Sequence, residues 1–143
     1  DIKWHDMSPN ASVEDLEREI ERGNYHIRFT AGCVREEVLD YCDMQGLYVA
    51  VTAPINSSES GTSRKRGGNP SNDPKWRKEY VERTMQMYYT TRRHPSVIAY
   101  FLADHSANGI SLYESYLALK SVADDRPVIY LDGGREWNSD YRK

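Results

Sequence analysis

The sequence alternates between segments with the apolar spacing of helices and short apolar segments typical of buried strands. Helical spacing recurs at Val13, Leu16 and Ile20, whereas residues 47–53 form an almost continuous apolar run. A strand that is apolar on both faces is buried on both faces, and parallel strands separated by helices are joined by right-handed crossovers. The pattern therefore predicts an α/β fold with a parallel sheet.

Turn and capping residues divide this pattern into five strands and four helices. The first strand ends near Asp6, and the other predicted strands cover residues 25–30, 47–53, 96–103 and 128–131. The first helix is predicted to follow the N-cap Ser12, and the second to begin near Val34 and end at Gly46. The third is predicted to follow Asp73 and Pro74, and the fourth to cover residues 112–122. The buried face of the third helix is predicted to include Trp76, Tyr80, Thr84, Met87 and Tyr88.

The alternating pattern is shared by a doubly wound sheet and an eight-stranded barrel, so periodicity alone leaves both open. No glycine-rich phosphate-binding motif joins a predicted strand to a helix, which argues against the nucleotide-binding form of the doubly wound sheet. The 143 residues are predicted to form one domain, interrupted by a long polar loop at residues 57–72.

Composition excludes several partners. A formal net charge of −3 gives no reason to expect nucleic acid or an anionic membrane as a partner, and the longest apolar run is far too short to span a bilayer.

Cys33 and Cys42 would lie too far apart on one helix to form a disulfide, so both are expected to be free and buried. The four histidines show no metal-ligand spacing within a helix, which predicts no bound metal.

Several short motifs occur in the same order as in the catalytic barrel of family 2 glycoside hydrolases. The most specific is RHPSVI at residues 93–98, which leads into the fourth predicted strand. The others are WHD at 4–6, IRFT at 27–30, LDYCD at 39–43 with GLYV at 46–49, and RPVIY at 126–130 with GG at 133–134. Over nearly its whole length, the chain thus resembles about strands 1–5 of that (β/α)₈ TIM barrel.

The resemblance implies a retaining glycosidase of the β-galactosidase type, which cleaves O-glycosidic bonds of terminal β-linked sugars. In such enzymes one carboxylic acid protonates the leaving oxygen while a second attacks the anomeric carbon, and the two carboxyl groups lie about 5 Å apart. The active residues lie at the C-terminal ends of the barrel strands. Carbohydrate is the implied ligand, and no cofactor is expected.

The resemblance places His105 at the acid/base position, where the family has glutamate, and Asp104 at the preceding position, where the family has asparagine. Histidine can act as a general acid near neutral pH, but here it is interpreted as an inert remnant. Arg28, His5 and Asp6 match family positions around the sugar. They are expected either to contact substrate or to hold strand ends together.

Other family positions have lost their polar groups. Ala31 stands where the family has a histidine after the second strand, and Val51 with Thr52 replaces an Asp-Glu pair after the third strand. The family's nucleophile follows a strand beyond the fifth, which this sequence does not reach. Because a retaining mechanism needs both carboxyl groups, the chain as given is expected not to hydrolyse glycosides.

A full barrel typically needs about 250 residues, so the length of this chain predicts a partial barrel with two open sheet edges and an open inner face. It is expected to be part of a longer multidomain protein, to self-associate through these open surfaces, or both. The cellular compartment stays open, although family members that act on polysaccharides slightly favour export.

Three functions are compatible with these residues. The first is an inactive piece of a family 2 glycosidase-like protein. The second is a noncatalytic carbohydrate-binding or scaffolding module that reuses the barrel. The third is a divergent glycosidase that uses His105 as general acid in the full-length protein.

Overall fold

The computed structural model describes residues 2–55, 71, 73–104, 109–130 and 138–140. Strands and helices alternate along the chain. Their order is β1 (His5–Met7), α1 (Val13–Glu21), β2 (His26–Phe29), α2 (Glu36–Gln45), β3 (Tyr48–Thr52), a 3₁₀ turn (Pro74–Trp76), α3 (Arg77–Thr91), β4 (Val97–Phe101), α4 (Ile110–Lys120) and β5 (Val128–Ile129). The predicted loop at 57–72 lies outside the described residues except for Ser71, which is buried.

The five strands form one parallel sheet in which neighbours in space are also neighbours in sequence, in the order β1-β2-β3-β4-β5. A doubly wound sheet reverses its strand order at a switch point. Here each strand pairs beside the one that precedes it in sequence, without a reversal, which is the winding of a barrel. The prediction of a partial (β/α)₈ barrel is therefore confirmed.

The first two helices begin and end at residues of the expected types. Ser12 and Asp15 form a reciprocal capping box at the start of α1, and Gly46 ends α2 in the left-handed conformation with φ of 68°. However, α2 begins at Glu36 rather than near Val34. Cys33 therefore lies before the helix and is exposed, so its predicted burial was wrong, whereas Cys42 is buried and both cysteines are free.

The third helix also differs from its predicted start. Asp73 caps a single 3₁₀ turn, and regular α-helix begins only at Arg77. Because a 3₁₀ turn has fewer residues per turn than an α-helix, Trp76 is out of register with the buried face and is 40% exposed. The other predicted members of that face are buried: Tyr80, Thr84, Met87 and Tyr88.

Side chains that alternate along each strand pack into two layers. The larger layer lies between sheet and helices and includes Ile27, Val49 and Val51. A smaller layer on the inner face contains Ala50, Ala99 and Phe101, with Trp4 and Ile129 packed against it. Within the described part of the chain, no helix combines the length and apolarity needed to cross a membrane.

The outer edge of β5 is covered by residues 138–140. The Val128 amide donates to the Asp140 carboxylate at 2.8 Å, and the Tyr130 amide donates to the Ser139 hydroxyl at 3.0 Å. In return, the Asp140 amide donates to the Val128 carbonyl at 2.7 Å. Tyr116 and Lys120 of α4 hold the Asp140 carboxylate in place at 2.6 and 2.7 Å. The expectation of an open edge is therefore wrong at β5.

Candidate functional site

Polar side chains converge where the first four strands end. Parallel pairing sets Asp6 beside Arg28, and Thr52 is the last residue of β3. Asp104 lies three residues beyond the end of β4. Because the C-terminal ends of parallel strands share one edge of the sheet, residues far apart in sequence meet here.

Arg28 lies at the centre of this group, and its side chain is only 4% exposed. Its guanidinium forms a two-pronged pair with Asp6, with Nε 2.9 Å from Oδ1 and Nη2 3.0 Å from Oδ2. Its Nη1 donates to the Thr52 hydroxyl at 3.1 Å and to Oδ1 of Asp104 at 3.0 Å. The guanidinium carbon also lies 5.1 Å from the centre of the Phe101 ring, within range of a cation–π interaction.

Asp104 is fixed from two sides. Its Oδ1 accepts from Arg28, while its Oδ2 accepts from the backbone amide of Ala31 at 3.0 Å. The Asp104 amide in turn donates to the Ile55 carbonyl at 3.1 Å. The carboxylate therefore links the ends of β2 and β4 above β3, and both of its oxygens are engaged.

The charges around Arg28 determine its ionisation. Burial acts to lower the pKa of Arg28, but the hydrogen bonds and negative charges of Asp6 and Asp104 outweigh this effect and raise its pKa. The guanidinium is therefore a permanent cation held by two carboxylates. Charge-assisted bonds of this kind are roughly twice as strong as neutral ones.

His5 does not join this cluster. Successive side chains of a strand point to opposite faces, so His5 points away from Asp6. Its Nε2 lies 2.9 Å from Oε2 of Glu19 in α1. The structure thus brings together Asp6, Arg28 and Asp104 from the predicted set and places His5 elsewhere. His105 lies outside the described residues.

Of the two residues that replace the family's Asp-Glu pair, Thr52 contacts the cluster and Val51 does not. Thr52 is buried and bonds Arg28, whereas Val51 packs into the layer between sheet and helices. The alternation of side chains along a strand could have singled out Thr52, because only one residue of an adjacent pair faces the barrel interior. Ala31 also contributes, although through its backbone amide rather than its side chain.

The model of the family described as "Glycosyl hydrolases family 2, TIM barrel domain" matches residues 27–142. The chain belongs to this family. In TIM-barrel enzymes the C-terminal strand ends form the catalytic face, and the cluster around Arg28 lies at those ends. The cluster therefore occupies the part of the fold where TIM-barrel enzymes carry their active sites.

Proposed function

We propose that this chain is part of a glycosidase-like barrel of the β-galactosidase type, and that by itself it does not hydrolyse glycosides. The observation that carries this proposal is the engagement of Asp6 and Asp104 by one buried guanidinium. These are the carboxylates that the described residues place around Arg28 at the catalytic face.

Retaining hydrolysis requires one carboxyl group to deliver a proton to the leaving oxygen and another to attack the anomeric carbon. Both oxygens of Asp6 accept bonds from Arg28. Both oxygens of Asp104 also accept bonds, from Arg28 and from the Ala31 amide. Each of these four oxygens already accepts a hydrogen bond, so attack by either carboxylate would require breaking its pair with Arg28.

The same bonds support a structural role for the cluster. Arg28 reaches β1, β3 and the residue after β4 from a position on β2. Such a link holds neighbouring strand ends at fixed separations, as a barrel requires at its rim. We assign Arg28, Asp6 and Asp104 to this role rather than to substrate binding.

The test is hydrolysis of a nitrophenyl β-galactoside by the purified chain, with its folding verified by circular dichroism. We expect nitrophenol to be released no faster than in buffer, and a His105→Ala variant to behave identically. Hydrolysis by the parent chain that disappears in His105→Ala would contradict the proposal and favour a divergent glycosidase with His105 as general acid.

The same preparation distinguishes the noncatalytic alternative. Calorimetric titration with the intact β-galactoside measures binding without requiring turnover. Saturable binding without hydrolysis would favour a carbohydrate-binding module, whereas no heat of binding is expected if the cluster is structural.

The inner face of the sheet supports a proposal about partners. Eight strands close this type of barrel, and the described residues supply five. Tyr48 lies on this face and is 49% exposed. We propose that further strands, from a longer chain or from a second copy, cover the inner face. Because residues 138–140 cover the edge of β5, self-association through sheet edges would use β1.

A further inference from the structure

A second polar cluster lies away from the catalytic face, between α2 and the residues that precede β4. Glu36 and Asp40 are four positions apart and therefore lie on the same side of α2. His94 comes from the turn between α3 and β4. One ligand atom from each of these three side chains lies within 4.8 Å of the other two.

The imidazole of His94 is fixed in orientation before any ligand arrives. Its side chain is 5% exposed, and its Nδ1 lies 2.7 Å from Oδ2 of Asp43. Oδ1 of Asp43 in turn accepts from the amide of Ser96 at 3.0 Å and from its hydroxyl at 2.5 Å. This leaves Nε2 directed at the exposed carboxylate of Glu36, 2.8 Å away.

This arrangement matches a recurring feature of metal sites. A histidine that binds a metal through one ring nitrogen usually donates its other N–H to a carboxylate, which fixes the ring and makes it a better ligand. Asp43 already serves His94 in this way, and Asp43 is itself held by Ser96.

Charge in the cluster also favours a cation. Three carboxylates, those of Glu36, Asp40 and Asp43, lie around a single imidazole. Protonation of His94 offsets only one of these negative charges. A divalent ion on Nε2 would offset two and would leave the bond from Nδ1 to Asp43 intact.

We propose that Glu36, Asp40 and His94 form a binding site for a divalent transition-metal ion such as Zn²⁺, with Asp43 as the supporting carboxylate. Imidazole nitrogen and carboxylate oxygen together suit Zn²⁺ better than Mg²⁺, which prefers oxygen ligands. The remaining coordination positions face solvent, since the side chains of Glu36 and Asp40 are 71% and 61% exposed.

Small side-chain movements would complete the geometry. Two ligands bound about 2.0–2.1 Å from a tetrahedral ion lie roughly 3.3 Å apart. Glu36 must therefore move slightly away from Nε2, relative to its present 2.8 Å. Asp40, whose Oδ1 is 3.7 Å from Nδ1, must turn toward the other nitrogen. Both are exposed helix residues, whereas His94 itself needs no movement.

The test is calorimetric titration of the metal-free 143-residue chain with Zn²⁺, in a Cys33→Ser background that removes the exposed thiol. We expect one Zn²⁺ bound per chain, much weaker binding of Mg²⁺, and Co²⁺ absorption bands in the visible range that report nitrogen and oxygen ligation. Retention of the far-ultraviolet circular dichroism spectrum verifies that each variant is folded.

The variant Glu36→Gln/Asp40→Asn removes two ligands on the exposed side of the helix and should weaken Zn²⁺ binding by at least about tenfold. The matched control Glu37→Gln/Glu82→Gln removes the same charge from exposed positions and should bind as the parent does. His94→Gln should abolish the Co²⁺ bands. Absence of Zn²⁺ binding would overturn the proposal, as would equal binding by the ligand variant and its control, because His94 would then be held by its carboxylates alone.

Discussion

Replacing Arg28 by methionine tests whether the cluster at the strand ends is structural. Methionine retains most of the apolar length of arginine but removes every hydrogen bond to Asp6, Thr52 and Asp104. The substitution thus leaves two carboxylates at the rim without their shared cation. We expect a large loss of stability with little change in packing volume.

The burial of each partner sets the magnitude. Removing one member of a buried ion pair costs about 3–5 kcal/mol, because the remaining charge loses its compensation. Asp6 has a side chain that is 56% exposed, so water replaces much of what it loses. Asp104 is 17% exposed and keeps the Ala31 amide. We therefore expect Arg28→Met to lower the free energy of unfolding by about 3 kcal/mol, at the low end of that range.

The assay is urea unfolding followed by circular dichroism at neutral pH. Arg18→Met is the matched control, because Arg18 also pairs with an aspartate but its side chain is 59% exposed. The control should change stability by less than about 0.5 kcal/mol. Combining Arg28→Met with Asp104→Asn should cost at least about 1 kcal/mol less than the sum of the single variants, since the two groups share one interaction.

Two outcomes would refute the reasoning. If Arg28→Met were no more destabilising than Arg18→Met, the cluster would not hold the strand ends. If the effects of Arg28→Met and Asp104→Asn on the free energy of unfolding were additive, the bond between Arg28 and Asp104 would contribute no coupling energy. Either outcome would return Arg28 and Asp104 to the set of candidate ligand-binding groups.

Two further predictions concern the edge of β5 and the cysteines. Burial acts to raise the pKa of Asp140, but Lys120, Tyr116 and the Val128 amide outweigh it and lower the pKa below its ordinary 3.8. Asp140→Asn should therefore lower the free energy of unfolding by about 1 kcal/mol at neutral pH, and this difference should shrink as pH falls through the depressed folded-state pKa. A difference that stays constant in urea unfolding at acid pH would show that the charge of Asp140 is irrelevant. Burial raises the pKa of the Cys42 thiol to about 12, so iodoacetamide at mildly alkaline pH should modify only the exposed Cys33 in the native chain, and both cysteines in urea. Detection by mass spectrometry of two rapid adducts on the native protein would contradict the burial of Cys42.

Local sequence features predicted the elements but not their arrangement. The capping box at Ser12 and the glycine at position 46 act within a few residues, so sequence alone located the start of α1 and the end of α2. Strand order depends on pairing between distant segments, and periodicity did not distinguish a barrel from a doubly wound sheet. The order of motifs supplied that choice, and the sheet topology confirmed it.

The candidate site shows the same division. The family resemblance identified Asp6, Arg28 and Asp104 as candidate site residues, but Arg28 is separated from Asp6 by 22 positions and from Asp104 by 76. Nothing local indicates that the two carboxylates share one guanidinium. The resemblance included His5 together with Asp6, but neighbouring residues of a strand point their side chains to opposite faces.

The two substitutions around Arg28 are best understood together. The resemblance places a carboxylate of the family at position 52 and a neutral amide at position 104, whereas this chain has Thr52 and Asp104. One negative charge is therefore lost at the end of β3 and one is gained after β4, both within hydrogen-bonding distance of Nη1 of Arg28. In this chain, the charges that balance the buried guanidinium come from Asp6 and Asp104. Thr52 is buried beside Nη1 of Arg28, so a third carboxylate at this position would be a buried charge without a cation of its own. On this argument Thr52→Glu should destabilise this chain unless Asp104→Asn accompanies it.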